Sequence, residues 1–239
     1  MFKFCSLFSG STGNSLLVET ENSKILVDAG ESAKKIEQAL SLLNVNVADL
    51  DGILVTHEHL DHVKSLGTLS KKYNIPVYAN EETWNAMPDQ KNKIAEDNQK
   101  KFLVNSEFEI KDLSFKPFSI PHDAANPCGF NIFHDHEKMS VATDLGHITE
   151  DIMHNLEKSK FILLEANYDP DILKYSKYPY SLKQRIAGPK GHLSNQNSGD
   201  LISSLIKSGL TNVMLGHLSK ENNYEALAYE TVCSEVTLG

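Results

Sequence analysis

Short apolar runs recur along this chain, each closed by a polar or glycine-containing cluster, and most of them read as strands. Residues 16–18 and 24–27 fit two such strands, the second running into Asp28-Ala29-Gly30, and 52–55 reads as a buried one. Further strands are expected at 76–79, 108–110, 113–120, 129–133, 138–142, 161–164 and 213–215. Between them the pattern changes to a helical spacing over 32–43, 63–73, 81–87, 197–208 and 223–229, with a polar helical stretch at 150–158. Strands and helices alternate without a Pro/Gly/Ser linker, an internal repeat or a low-complexity tract, which predicts one α/β domain over residues 1–239. Side chains at the strand ends are expected to gather along one edge of packed sheets, where loops carry chemistry.

Composition narrows the class. With 40% hydrophobic residues in 239, the chain can build an ordinary globular core. No apolar stretch approaches the roughly 18 residues that a membrane span needs, and the N-terminus lacks the apolar segment of a signal peptide. A soluble, cytoplasmic protein is the expectation. Cys5, Cys128 and Cys233 are widely spaced with no C-x-x-C pair, which points to reduced thiols rather than a disulfide framework or a thiolate zinc site. A net charge of -9 argues against a general nucleic-acid coat. Local distribution qualifies that. Over 172–190 the chain carries Lys174, Lys177, Lys183, Arg185 and Lys190 with no acid, interleaved with Tyr175, Tyr178 and Tyr180. Cations beside aromatic rings suit a nucleic-acid backbone and its bases, though such a run also describes a solvated face.

The candidate chemistry starts at Thr56-His57-Glu58-His59-Leu60-Asp61-His62, directly after the apolar run 52–55. His57 and His59, two apart on extended backbone, can point the same way, and Asp61 and His62 follow where a strand turns into a helix. Three imidazoles and a carboxylate at this spacing read as metal ligands. Other strand ends add Ile120-Pro121-His122, Ala142-Thr143-Asp144 and Leu215-Gly216-His217. Together they supply His57, His59 and His122 for one divalent ion and Asp61, His62 and His217 for a second, with Asp144 able to bridge. Imidazoles with carboxylates suit zinc and also manganese. His134, His136 and His154 read as surface residues, and His147 as a residue that could orient Asp144.

The order H-x-H-x-D-H, His, Asp, His resembles the ligand set of the metallo-β-lactamase superfamily. That resemblance implies an αββα sandwich, two mixed sheets with helices on the outer faces, and hydrolysis assisted by two metal ions. Glu165, ending the strand at 161–164, and His192 in Gly191-His192-Leu193-Ser194-Asn195 resemble the Glu and His that transfer a proton to the leaving oxygen in the tRNA 3′-processing nucleases of this superfamily. A phosphodiester needs such an acid because its alkoxide leaving group is poor. In this reading Asp61 also orients the attacking water. The glycine-rich Phe8-Ser9-Gly10-Ser11-Thr12-Gly13-Asn14-Ser15, whose N–H groups could face a phosphate, completes a set similar to the YycJ/WalJ family of bacterial hydrolases. That family is associated with 5′-to-3′ exonuclease activity on DNA and with mismatch repair, so the resemblance implies a DNA-directed nuclease.

Substrate contacts are then expected from Ser9, Ser11, Asn14, Lys183, Arg185 and Asn195. The chain departs from the family pattern at Tyr168, where relatives carry His in Glu-x-Asn-His-Asp. The short stretch between Asp144 and His192 leaves no room for the large inserted domain of the RNA-processing relatives, so the basic, tyrosine-rich segment or a second subunit of a homo-oligomer must grip the substrate. Three other readings compete: an RNA-processing nuclease of the same fold, an esterase or thioesterase acting on a small metabolite, and a non-enzymatic metal-binding protein.

Overall fold

Runs without a polar interruption become strands covered on both faces. Ile25, Leu26 and Val27 are all buried, as are Ile53, Leu54 and Val55. A computed structural model of the protein describes residues 2–238. These fall into two compact units, one built from residues up to Pro117 with Ala124–Cys128, the other from Phe118–Asp123 and the residues from Gly129 onward.

In the first unit six strands form a mixed sheet in chain order: β1 (Lys3–Phe8), β2 (Ser15–Glu19), β3 (Lys24–Val27), β4 (Gly52–Leu54), β5 (Val77–Ala79) and β6 (Gln99–Lys101). The first three pair antiparallel, with Leu16 opposite Val27, and the last four pair parallel, with Val27 opposite Leu54. The parallel steps need crossovers, which α1 (Ala33–Leu42), α2 (Leu60–Val63), α3 (Leu66–Tyr73), α4 (Glu81–Ala86) and α5 (Pro88–Lys91) provide. Leu17, Leu26, Ile36, Leu40, Ile53, Leu66, Leu69 and Trp84 pack as its core. The strands β7 (Phe108–Ile110) and β8 (Leu113–Ser119) form a hairpin. Its turn residue Asp112 accepts hydrogen bonds from Thr20, Asn22 and Ser23, tying the hairpin to the β2–β3 turn. Burial would push the Asp112 carboxyl up, but the hydrogen bonds from Ser23 and Thr20 prevail and hold it at about 2.

The second sheet runs β12-β11-β10-β9-β8-β7, with β9 (Cys128–His134), β10 (Glu137–Ala142), β11 (Phe161–Glu165) and β12 (Asn212–Gly216). β9 and β10 are an antiparallel hairpin, and β10, β11 and β12 pair parallel, so this sheet is mixed too. The second unit adds α6 (Glu150–Leu156), α7 (Pro170–Tyr175), α8 (Tyr180–Ile186), α9 (Asn195–Ile206) and α10 (Glu225–Leu238). Its core joins Ile162 and Leu164 of β11 to Ile152 and Leu156 of α6 and to Leu201, Ile202 and Leu205 of α9. The three cysteines are free thiols. Among the described residues no helix is long and apolar enough to cross a membrane.

The expected elements are present with shifted ends, and one splits. The helix expected over 63–73 is two helices, because Ser65 leaves the helical conformation and gives both its N–H and its hydroxyl to the Ala29 carbonyl, at 3.0 and 3.1 Å. The late helix continues to Leu238, its Ala228 and Val232 buried. The strands β1 and β6 and the helices α5, α7 and α8 were not expected from the pattern.

Candidate functional site

β3, β10 and β12 end alike. One or two residues past each, the chain takes a left-handed backbone: Asp28 at φ 63°, Asp144 at φ 60° and His217 at φ 55°. These are three of the nine non-glycine residues with positive φ among the described residues. Asp and His tolerate this region better than most side chains, and such strain concentrates where a side chain must be re-aimed.

In the first unit the H-x-H-x-D-H motif closes on itself. The His57 ring centroid lies 4.6 Å from that of His59 and 4.1 Å from that of His62. Asp61 Oδ2 is 3.6 Å from His62 Nε2. Holding this cluster is Asp28, a role that the sequence reading did not assign. Its carboxylate accepts the Thr56 N–H and hydroxyl, both at 2.9 Å, and meets His62 Nδ1 at 2.8 Å. A carboxylate only accepts, so His62 donates from Nδ1 and its lone pair sits on Nε2. Asn14 is buried rather than turned outward: its carbonyl oxygen accepts Gly10 N–H at 2.9 Å, while its amide lies 3.1 Å from His62 Nε2. Ser9 and Ser11 of the same loop are exposed. Gly30 fits where no side chain can, since a Cβ there would come 1.6 Å from the Asp61 carbonyl oxygen.

In the second unit Asp144, Glu165, His192 and His217 each offer a ligand atom within 4.8 Å of the others. Glu165, fully buried at the end of β11, organises them. Its Oε1 meets His192 Nδ1 and His217 Nδ1, each at 2.7 Å, and its Oε2 accepts Leu145 N–H at 2.8 Å and Leu193 N–H at 3.1 Å. Burial would raise this carboxyl, but the His192 charge and the hydrogen bonds from both imidazoles outweigh it and hold it at about 2. His192 answers in kind: burial pulls it down, yet the Glu165 charge and hydrogen bond leave its pKa raised. Ionised Glu165 accepts from both rings, which directs Nε2 of each away from it. Asn167, also unassigned in the sequence reading, donates to the His217 carbonyl at 2.8 Å. His122 Nε2 lies 3.6 Å from Asp144 Oδ1, and its Nδ1 meets the Gly191 carbonyl at 3.1 Å. Burial lowers the His122 pKa against the Asp144 charge, as suits a neutral ligand.

Other expected residues stand apart from this cluster. Lys183 gives its ammonium to the Lys174 and Ser176 carbonyls, each at 2.7 Å, and Arg185 pairs with Asp123. The Asn195 amide is buried and exchanges hydrogen bonds with Asn223. His147 meets the Pro189 carbonyl at 2.8 Å rather than Asp144. Tyr168 is buried, and burial followed by the Glu165 charge pushes its hydroxyl up. Each unit thus carries buried imidazoles beside carboxylates, with Asp28 orienting the His62 ring in one and Glu165 the His192 and His217 rings in the other. That donor chemistry fits divalent transition ions.

A profile of the beta-lactamase superfamily domain matches residues 23–211. The chain is 38% identical, over 98% of its length, to the exodeoxyribonuclease WalJ of Streptococcus pneumoniae serotype 2, and covers 88% of that protein. It is also 38% identical, over 96% of its length, to the exodeoxyribonuclease YycJ of Bacillus anthracis, and covers 87% of it. Among solved structures, the metallo-beta-lactamase fold protein YhfI from Bacillus subtilis aligns with 100% of this chain and 93% of its own at a TM-score of 0.71 and 14% identity, a likeness of fold alone.

Proposed function

We propose, for a chain that belongs to the beta-lactamase superfamily and within it to the family of the exodeoxyribonucleases WalJ and YycJ, that it is a metal-dependent phosphodiesterase that digests DNA from the 5′ end in cytoplasmic DNA repair. Its fold, two mixed sheets with helices, is the metallo-β-lactamase fold expected from the ligand order. In this reading the whole chain works as one domain of that fold without a large insertion. His57, His59 and His122 would hold one divalent ion and Asp61, His62 and His217 a second, with Asp144 available to either, and zinc or manganese would suit these donors. Bound there, such ions lower the pKa of water and offset charge on phosphate oxygens.

The chain's own residues do the rest. Asp28 keeps His62 in one tautomer, and Glu165 does the same for His217. Asp61 orients the attacking water. His192, bound through Nδ1 to Glu165, which raises its pKa, acts as the acid that donates a proton from Nε2 to the departing oxygen. The observation that carries the reading is this His192–Glu165 pair at 2.7 Å. An esterase or thioesterase, whose leaving group departs more easily, has little use for a dedicated acid. The test incubates the purified protein with 5′- and 3′-end-labelled DNA, a chromogenic phosphodiester and a thioester, each with and without Mn²⁺ or Zn²⁺. Metal-dependent release of the 5′ label is expected, with the thioester intact. Nuclease activity that survives Asp61→Ala combined with His62→Ala contradicts the mechanism.

A further inference from the structure

The segment 172–190 has no part in that chemistry, yet it is built as a receptacle. The helices α7 and α8 line an open cavity of about 490 Å³ whose walls include Tyr168, Leu173, Tyr178, Tyr180, Lys174 and Lys183. That volume lies in the range of small-ligand pockets. Three phenol rings offer flat apolar faces, and two ammonium groups bring positive charge into an otherwise acidic protein. Lys183 bonds to the carbonyls of Lys174, in α7, and Ser176, just past it, which fixes its charge in the wall instead of letting it trail in solvent. The Lys174 ammonium lies 5.2 Å from the Tyr175 ring centroid.

Two further features point to a planar, anionic guest. None of the described residues of α8 is buried, so the apolar sides of this helix lack the cover that helices normally gain from a core. The back wall, Tyr168, stands three positions after Glu165 on the segment that leaves β11. Three residues span at most about 10 Å. A strand whose phosphate reaches His192 therefore has its neighbouring nucleotides within reach of the cavity.

We propose that this cavity binds one nucleobase of the substrate strand, stacked on the tyrosine rings, with an adjoining phosphate on Lys174 and Lys183. The proposal rests on the nuclease reading and gives it a subsite. Stacking on tyrosine accepts any base, because every base has a π-face, so the subsite supports digestion that ignores sequence. It also gives Tyr168 a place: a phenol ring widens the stacking wall where an imidazole would not.

The test uses the metal-loaded full chain and the fluorescent mononucleotide 2-aminopurine deoxyriboside 5′-monophosphate, whose emission falls on stacking. Saturable quenching is expected, reversed by dAMP and not by the same concentration of inorganic phosphate. Tyr178→Ala and Ala187→Trp should each weaken it about tenfold, while Tyr178→Phe retains it. Ala187 is exposed, so a tryptophan there fills the cavity without entering the core, and unchanged melting temperatures establish that all three variants fold. Absence of saturable quenching, displacement by phosphate alone, or equal quenching in Ala187→Trp overturns the subsite. Digestion of labelled DNA, followed in parallel, separates the two readings. Quenching without digestion keeps the pocket and sinks the nuclease, and digestion without quenching does the reverse.

Discussion

Glu165 accepts four hydrogen bonds in a position closed to solvent, two from main-chain N–H groups and two from imidazoles. Its negative charge and hydrogen bond are what raise the His192 pKa against burial. The acid must carry its proton to act, so activity holds below the His192 pKa and fades above it. Glu165→Gln removes the charge that raises this pKa, and the alkaline limb of the kcat/KM profile should move to lower pH. At pH 8 the loss should be on the order of a hundredfold on DNA. A limb that stays in place while kcat/KM falls uniformly would make Glu165 a structural residue only. At this scale the clustering of candidate ligands was legible because His57, His59, Asp61 and His62 are neighbours in sequence. Asp28 and Asn167 were not, since each meets a histidine dozens of positions away, Asp28 at the ring of His62 and Asn167 at the main-chain carbonyl of His217. A signal existed for Asp28: an acid ending an unbroken apolar run is buried with the run, and a buried carboxylate needs partners.

The loop between β4 and α2 is held by close approach more than by its own letters. Gly30, just past β3, passes the Asp61 main chain so closely that any Cβ would meet its carbonyl oxygen. Gly30→Ala should therefore shift the Asp61–His62 turn, cost about 1–3 kcal/mol of stability as overpacking does, and lower metal content measured by elemental analysis. A variant with native metal content and melting temperature would show that the loop yields freely. Elements with a buried stripe or run were readable: β3, β4, β11, α1 and α9 fall within a few residues of expectation. Those missed lack one. β6 is Gln99-Lys100-Lys101, a sheet-edge strand defined by its pairing with β5, β1 is only half buried along its length, and α8 buries nothing. The Ser65 break between α2 and α3 was invisible because its cause, the Ala29 carbonyl, lies far back in sequence, in the loop that follows β3.

Taken whole, the protein carries a net charge of -9 and must bind a polyanion through a few local cations. Arg185 is neutralised by Asp123, which leaves Lys174 and Lys183 at the cavity as the phosphate contacts. Two such contacts predict a log–log salt slope of only about -1.5 to -2 and about a tenfold loss of DNA affinity between 50 and 200 mM salt. A slope near -6 from anisotropy titrations would mean that a far larger basic surface is engaged. Fold class was legible at this scale from the alternation of elements and the order of ligands along the chain, and segment 172–190 was legible as a candidate grip on substrate, whereas the cavity there was not, because it is lined by two helices that the apolar pattern does not announce. The carboxylate at 165 also bears on how this protein can change by descent. In the proposed mechanism one codon answers to both the proton donor and a cation ligand, so a lineage could not abandon the donor by mutating that position without loosening the ligand as well. Drift toward easier substrates would have to begin at codon 192 instead, leaving the glutamate behind as a relic of the harder reaction.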